Sequence, residues 1–287
     1  MGGDLIGGVR ESRSPSAGTK DEIVRELARV IGAARAVAGS GEVIACGIAM
    51  PAPFDYRAGV SQMTHKFPAI RGLPLGTLLA AETGLPVYFL NDADAFGLGV
   101  GWRQLPDLKR FVALTIGTGL GSGFIEDGRA VTSGDSVPPD GEVWNLPYED
   151  GILEDHVSAR ALTTFYGTGI DGPRPHGHLP GKTAREVSVL AAEGDQTAVA
   201  AFGAMGTALG CGLAPVLARF EPQSLVIGGK VGRSLELFAP ATRRALAGAG
   251  LPGLPVLPAA PGNMALWGAA KLAFGNAAMQ RNSRPSK

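Results

Sequence analysis

Apolar positions along the chain change period several times, and each change marks an element. After Thr19-Lys20-Asp21-Glu22, the residues Ile23, Leu27, Val30, Ile31 and Ala34 recur at helical spacing, which predicts a helix of about five turns. Glu22 follows Thr19 by three residues, the pattern of a capping box. Val43 to Ala49 is a continuous apolar run of strand length, which fits a strand covered on both faces of an α/β sheet. Pro51 and Pro53 end it. Leu75 to Thr83 reads as a short helix, and Pro86 to Leu90 as a second buried strand ending at Asn91-Asp92, with a helix starting near Ala95.

A new unit opens at Arg110. Phe111 to Ile116 reads as a strand, Gly117 to Gly123 as a glycine-rich turn, and Phe124 to Val131 as a strand pair around Asp127-Gly128, a strong hairpin signal. Ser133 to Gly181 is rich in Pro and Gly, with one helical stretch from about Glu154 to Tyr166. Helices are predicted at Ala184 to Ala192, Thr197 to Phe220, Leu235 to Ala247 and Ala265 to Phe274, and strands at Ser224 to Ile227 and Pro255 to Leu257. The tail from Asn276 to Lys287 is polar and reads as frayed. Strand-then-helix alternation in both halves gives an α/β fold in two lobes, with ligands expected at strand C-termini. The expected divisions are 1–108, 109–275 and a flexible 276–287.

Composition narrows the function classes. The chain has 287 residues, 45% hydrophobic and 18% charged, with 26 basic and 26 acidic side chains. A zero net charge without a basic cluster argues against nucleic acid as a partner. No secretory leader or membrane-length apolar run stands out, so a cytoplasmic location without membrane partners is expected. Cys46 and Cys211 lie far apart and in no metal-ligand spacing. They read as two buried free thiols.

Three motifs could carry chemistry. Asn91-Asp92 ends a buried strand, where a carboxylate can accept the proton of an attacking alcohol; Asp92 and Asp94 serve equally well as helix caps. Thr115-Ile116-Gly117-Thr118-Gly119-Leu120-Gly121-Ser122-Gly123 has backbone amides and a Thr hydroxyl suited to phosphate oxygens. It is neither a P-loop nor a dinucleotide fingerprint, and a plain glycine turn explains it too. Ser224-Leu225-Val226-Ile227-Gly228-Gly229 ends a strand in two glycines on which a purine or ribose could lie.

In this order and spacing, from about residue 20 to 275, the sequence resembles the ROK family of sugar kinases, sugar-responsive repressors and uncharacterised open reading frames. The strongest stretch is Gly47-Ile48-Ala49-Met50-Pro51-Ala52-Pro53-Phe54-Asp55, then Gly59, Gly84-Leu85-Pro86-Val87 and Asn91-Asp92-Ala93. The resemblance implies a two-lobed actin-like ATPase (ribonuclease H-like) fold and ATP-dependent phosphorylation of a hexose or hexose-like sugar, with Mg²⁺ bridging the phosphates. By resemblance Asp92 is the general base and Asn91 a sugar ligand. Gly117, Thr118, Gly119 and Gly121 belong to a phosphate loop, and Gly228 and Gly229 to the adenosine motif. The family's Gly-Glu-x-x-His run is matched by Gly141-Glu142-Val143-Trp144-Asn145, so Glu142 and Asn145 join the sugar cradle, as does Glu154. The resemblance also implies a homodimer. Asn91 to Ala95 is similar to polyphosphate-using glucokinases of the family, which keeps polyphosphate open as donor.

The departures are equally specific. Asn145 stands where the family has His, which suggests a sugar other than glucose. No cysteine precedes Glu154 where zinc-containing members carry several, so no structural zinc is expected, and His176-Gly177-His178 lacks a third ligand. The family's Asp-x-Gly-Gly-Thr loop is absent. Met1 to Arg10 resembles the end of the hairpin that carries it, so the N-terminal lobe is expected to be truncated, with an unpaired sheet edge. That favours, as the alternative, a non-catalytic sugar-binding sensor or kinase remnant. A DNA-binding repressor would carry a helix-turn-helix ahead of this region, and none is seen.

Overall fold

A computed structural model describes residues 4, 6, 8–12, 15–39, 41–169 and 181–282. The chain divides into two compact units, Met1–Ala95 with Leu266–Lys287, and Phe96–Ala265. In chain order the first contains α1 (Lys20–Val37), β1 (Cys46–Met50), the short antiparallel pair β2 (Phe54–Asp55) and β3 (Val60–Ser61), α2 (Leu75–Thr83), β4 (Val87–Asn91) and the start of α3 (Asp92–Arg103). The second holds β5 (Arg110–Ile116), β6 (Leu120–Glu126), β7 (Arg129–Ala130), β8 (Pro147–Tyr148), β9 (Gly151–Ile152), α4 (Ala159–Thr168), α5 (Ala184–Ala192), α6 (Gln196–Phe220), β10 (Leu225–Gly228), α7 (Gly229–Gly232), α8 (Leu235–Gly248) and β11 (Val256–Pro258). The last helix, α9 (Met264–Asn282), returns to the first unit.

In the first unit, α1 opens with the capping box read from the sequence: Thr19 Oγ1 accepts from the Glu22 N–H and Glu22 reaches back to the Thr19 N–H at 2.7 Å. Its buried Ile23 joins Met50, Phe54, Met63, Ile70, Leu75, Leu79 and Phe89 in one core. Strands β1 and β4 run parallel, with Cys46 opposite Val87 and Met50 opposite Asn91. The first strand is three residues shorter at its start than its apolar run. Pairing begins only where Cys46 N–H meets the Pro86 carbonyl, at 2.8 Å. Nor is it covered as predicted, since only Met50 of its five residues is buried. Helix α9 belongs here because glycines permit a backbone approach no side chain would allow. A Cβ on Gly47 would sit 2.0 Å from the Ala269 oxygen, and one on Gly268 would sit 1.8 Å from that of Ala95. The expected fraying from Asn276 is not seen as far as Asn282, since Ala277 is buried and the helix continues to that residue; residues 283–287 lie outside the described residues.

The sheet of the second unit has the order β11-β10-β5-β6-β7, with β11, β10 and β5 parallel and the last two strands antiparallel. Asp127 and Gly128 both take left-handed φ, 47° and 71°, as a two-residue hairpin turn requires. Helix α6 supplies much of the core through Phe202, Met205, Leu209, Leu213, Leu217 and Phe220. By length and composition α6 could cross a membrane, which corrects the expectation of no such run, but 56% of its apolar window is buried inside the unit. Cys211, on its outer face, is exposed rather than buried, while Cys46 is half-buried; both thiols are free. The helix expected from Glu154 is interrupted: a 3₁₀ turn at Leu153–Asp155 is followed by α4, whose cap is Ser158.

The contact boundary thus falls inside α3 at Ala95/Phe96, not at residue 108. Beyond it Gly97 lies against Ile125 and Ala113 of the second sheet. His176 and His178, and half of the Met1–Arg10 segment, lie outside the described residues.

Candidate active site

In the first unit the site begins where β4 becomes α3 without an intervening loop. The cap is Asn91, not Asp92 or Asp94: its Oδ1 accepts from the N–H of Ala93 at 2.8 Å and of Asp94 at 3.4 Å. The helix therefore starts at Asp92, three residues before the predicted start. Asn91 Nδ2 donates to the Tyr56 hydroxyl at 3.2 Å, and that hydroxyl donates to the Met50 carbonyl at 3.1 Å. These bonds fix the end of β4 to its neighbour strand. Asp94 is buried, whereas Asp92 is exposed. Of the two acids, neither of which caps the helix, Asp92 is therefore the one open to a ligand.

In the second unit the glycine-rich segment is shorter than predicted. Only Gly117 to Gly119 form the turn; Leu120 to Gly123 already lie in β6, with Gly121 opposite Thr115. Ladder pairing with β5 overrides the low strand propensity of glycine there. Within the turn Gly117 N–H donates to the Gly119 carbonyl at 2.9 Å, and the Gly117 carbonyl accepts from Ala159 at 2.8 Å. Among the described residues no hydrogen bond takes the N–H of Thr118 or Gly119. Those two amides and the exposed Thr118 hydroxyl fit phosphate oxygens.

Glu154 is joined to this turn. Its Oε2 accepts the Leu120 N–H at 2.8 Å. It lies so close to Gly119 that a Cβ there would be 2.4 Å from the same oxygen. Glu142 is held by another route. The buried Ser122 hydroxyl of β6 donates to the Gly141 carbonyl at 2.6 Å and accepts from Val143 N–H at 3.1 Å, pinning the residues on either side of Glu142. Glu142 Oε2 accepts from the Trp144 indole at 2.6 Å, and the Trp144 carbonyl accepts the Glu154 N–H at 3.0 Å. Asn145 is exposed in the same segment. Six of the expected residues, Glu142, Asn145, Glu154, Gly117, Thr118 and Gly119, therefore form one connected loop system.

Gly228 and Gly229 have a structural reason to be glycine. A Cβ on Gly228 would meet the Phe96 ring at 2.5 Å, and one on Gly229 would meet the Ile116 carbonyl oxygen at 2.4 Å. Gly229 also has φ +89°. The pair brings the end of β10 against β5, and Gly229 itself is exposed.

A cluster that the sequence did not suggest is Glu149, Asp150 and His156, whose ligand-type atoms lie within 4.8 Å of one another. His156 is buried at 2% exposure; its Nδ1 is 3.6 Å from Glu149 and its Nε2 is 3.9 Å from Asp150. The two carboxylates approach opposite nitrogens of one ring, and a structural zinc site would need a fourth ligand.

The sequence model of the ROK family matches residues 8–275. A glucokinase from Thermotoga maritima is 30% identical over 240 residues, covering 77% of this chain and 74% of its own length. Among solved structures, a ROK hexokinase from Thermus thermophilus aligns with a TM-score of 0.76 at 26% identity, covering 93% of this chain and 90% of that one. A ROK family glucokinase from Streptomyces griseus, solved in complex with glucose and AMPPNP, aligns with a TM-score of 0.66 at 26% identity, covering 91% and 90%.

Proposed function

Since the chain belongs to the ROK family and has its actin-like ATPase fold, we propose that it transfers the γ-phosphoryl group of ATP to a hydroxyl of a hexose or hexose-like sugar. The observation that carries this reading is the bond from Leu120 N–H to Glu154. It ties a sugar-type carboxylate directly to a turn whose free amides suit phosphate, so that one loop system serves acceptor and donor.

Asp92 is the general base. The sugar oxygen attacks the γ-phosphorus, its proton passes to the Asp92 carboxylate, and the bond to ADP breaks. Glu142, Glu154 and Asn145 hold other hydroxyls. Asn91 adds little more than one donor, because its oxygen and one amide proton are committed to Ala93, Asp94 and Tyr56. Thr118 and Gly119 supply phosphate contacts with Gly117 and Gly121 flanking them, and Gly228-Gly229 form the nucleotide floor. Bound with the nucleotide, Mg²⁺ would neutralise charge on the transferring phosphate, while Thr118 and Gly119 would hold the phosphate oxygens. ATP is preferred to polyphosphate as donor because the Streptomyces griseus relative was solved with an ATP analogue.

A coupled ADP-release assay over a panel of hexoses tests the reading, with Asp92→Asn expected to lower kcat by roughly 10²–10⁴ while the sugar KM stays near that of the parent. An unchanged kcat would remove Asp92 from the mechanism. Sugar binding by the parent without ADP release would instead establish a sensor.

A further inference from the structure

Trp144 is used by none of the roles above, yet it links the two glutamates of the second unit. Its indole N–H holds Glu142 at 2.6 Å and its carbonyl takes the Glu154 N–H at 3.0 Å. The residue is 38% exposed, although tryptophan carries the largest apolar surface of any side chain. A plain surface tryptophan would be free to change rotamer. This one is pinned through its only donor to a carboxylate, which leaves the ring faces oriented and partly open.

Resting on the sugar-kinase reading, we infer that Trp144 is a specificity-determining residue of the sugar site. Its ring packs against the C–H face of a pyranose while its N–H aims Glu142 at the sugar's hydroxyls. Glu142 keeps Oε1 and a further lone pair on Oε2 for those hydroxyls. In this inference the Trp144 ring sets the ligand class and favours glucose, against the expectation drawn from Asn145: a pyranose with equatorial hydroxyls presents an unbroken apolar face to the ring. An axial hydroxyl on that face would be buried against carbon without a partner, and is selected against.

Calorimetric titration of the full chain with glucose, mannose and galactose, in the absence of nucleotide, tests this. Trp144→Phe keeps a ring but loses the N–H, and is expected to weaken glucose binding about tenfold. Trp144→Ala removes both and is expected to weaken it roughly a hundredfold, with the preference for glucose over its two epimers falling toward unity. Both variants should unfold at the parent's temperature, and the indole emission change on adding glucose should vanish with Trp144. If Trp144→Ala binds the three sugars as the parent does, the inference is overturned, while ADP release by the parent leaves the kinase reading standing. A parent that binds none of the three overturns the inference, and the kinase reading is then decided by ADP release over the wider hexose panel.

Discussion

Glu154 has two jobs in this reading, and two substitutions can separate them. In Glu154→Ala the Leu120 N–H loses its acceptor. Leu120 is only 3% exposed, so water is poorly placed to replace the carboxylate. An orphaned buried donor costs about 1–3 kcal/mol, and about 2–4 °C is lost per kcal/mol in a protein of this size. The thermal midpoint should therefore fall by roughly 2–12 °C. Glu154→Gln keeps an oxygen for the same N–H but loses the charge, and charge-assisted bonds are about twice as strong as neutral ones. It should recover about half of that fall. Sugar binding should not recover with it, because a carboxamide replaces the second acceptor oxygen with an amino group that can only donate; KM for the sugar should stay about tenfold or more above the parent. Circular dichroism melts and the coupled kinase assay read the two quantities independently. A melt of Glu154→Ala that matches the parent would mean the bond does not hold the turn. If Glu154→Gln restored KM together with the melting temperature, the carboxylate would serve the turn alone.

Gly229→Ala should be far more damaging than its exposure suggests. Its φ of +89° and the Ile116 carbonyl oxygen, only 2.4 Å from where a Cβ would stand, together predict a loss above about 2 kcal/mol. Gly248→Ala, with open space around it, should be neutral or stabilising. Equal melting temperatures for the two would refute the packing argument. The cysteines should differ in reactivity: burial pushes the Cys46 thiol up to about 11, which leaves about one thiolate in a thousand at pH 8, while Cys211 is exposed. Alkylation followed by peptide mass spectrometry should find Cys211 modified first, and equal rates would contradict the burial of Cys46.

What the sequence disclosed followed from local signals. The capping box at Thr19 and the helices Leu75–Thr83 and Ala184–Ala192 rest on signals within a few neighbouring residues, and the structure keeps them. The glycine turn is shorter than its pattern predicts because Gly121 and Gly123 gain their strand conformation from β5, a partner the local pattern does not contain. The polar residues of the tail predict fraying, yet Ala277 is buried and α9 runs on to Asn282, a burial the local pattern does not contain. The roles of Glu142 and Glu154 came from resemblance, not from spacing. No periodicity relates Glu154 to Leu120, 34 residues earlier, and the tie becomes visible only when the loop folds back on the strand. Trp144 was in plain view inside the motif, but its value lies in a side-chain bond to a neighbour two residues away.

The order Asn91-Asp92 carries an argument of its own. A helix that begins directly at a strand end needs an acceptor for its first amides, and either residue could supply one. An acidic cap would accept two amide bonds, and a carboxylate so engaged is a weaker acceptor for a third proton. Asn91 meets the amides of Ala93 and Asp94 with a neutral oxygen and anchors itself through Tyr56 to the neighbouring strand. That division leaves the Asp92 carboxylate exposed on a backbone that is already fixed. Exchanging the two residues would keep the composition and the cap while placing the acid in the amide bonds. The adjacency that looked in the sequence like two candidate caps is, in the structure, a cap followed by an acid.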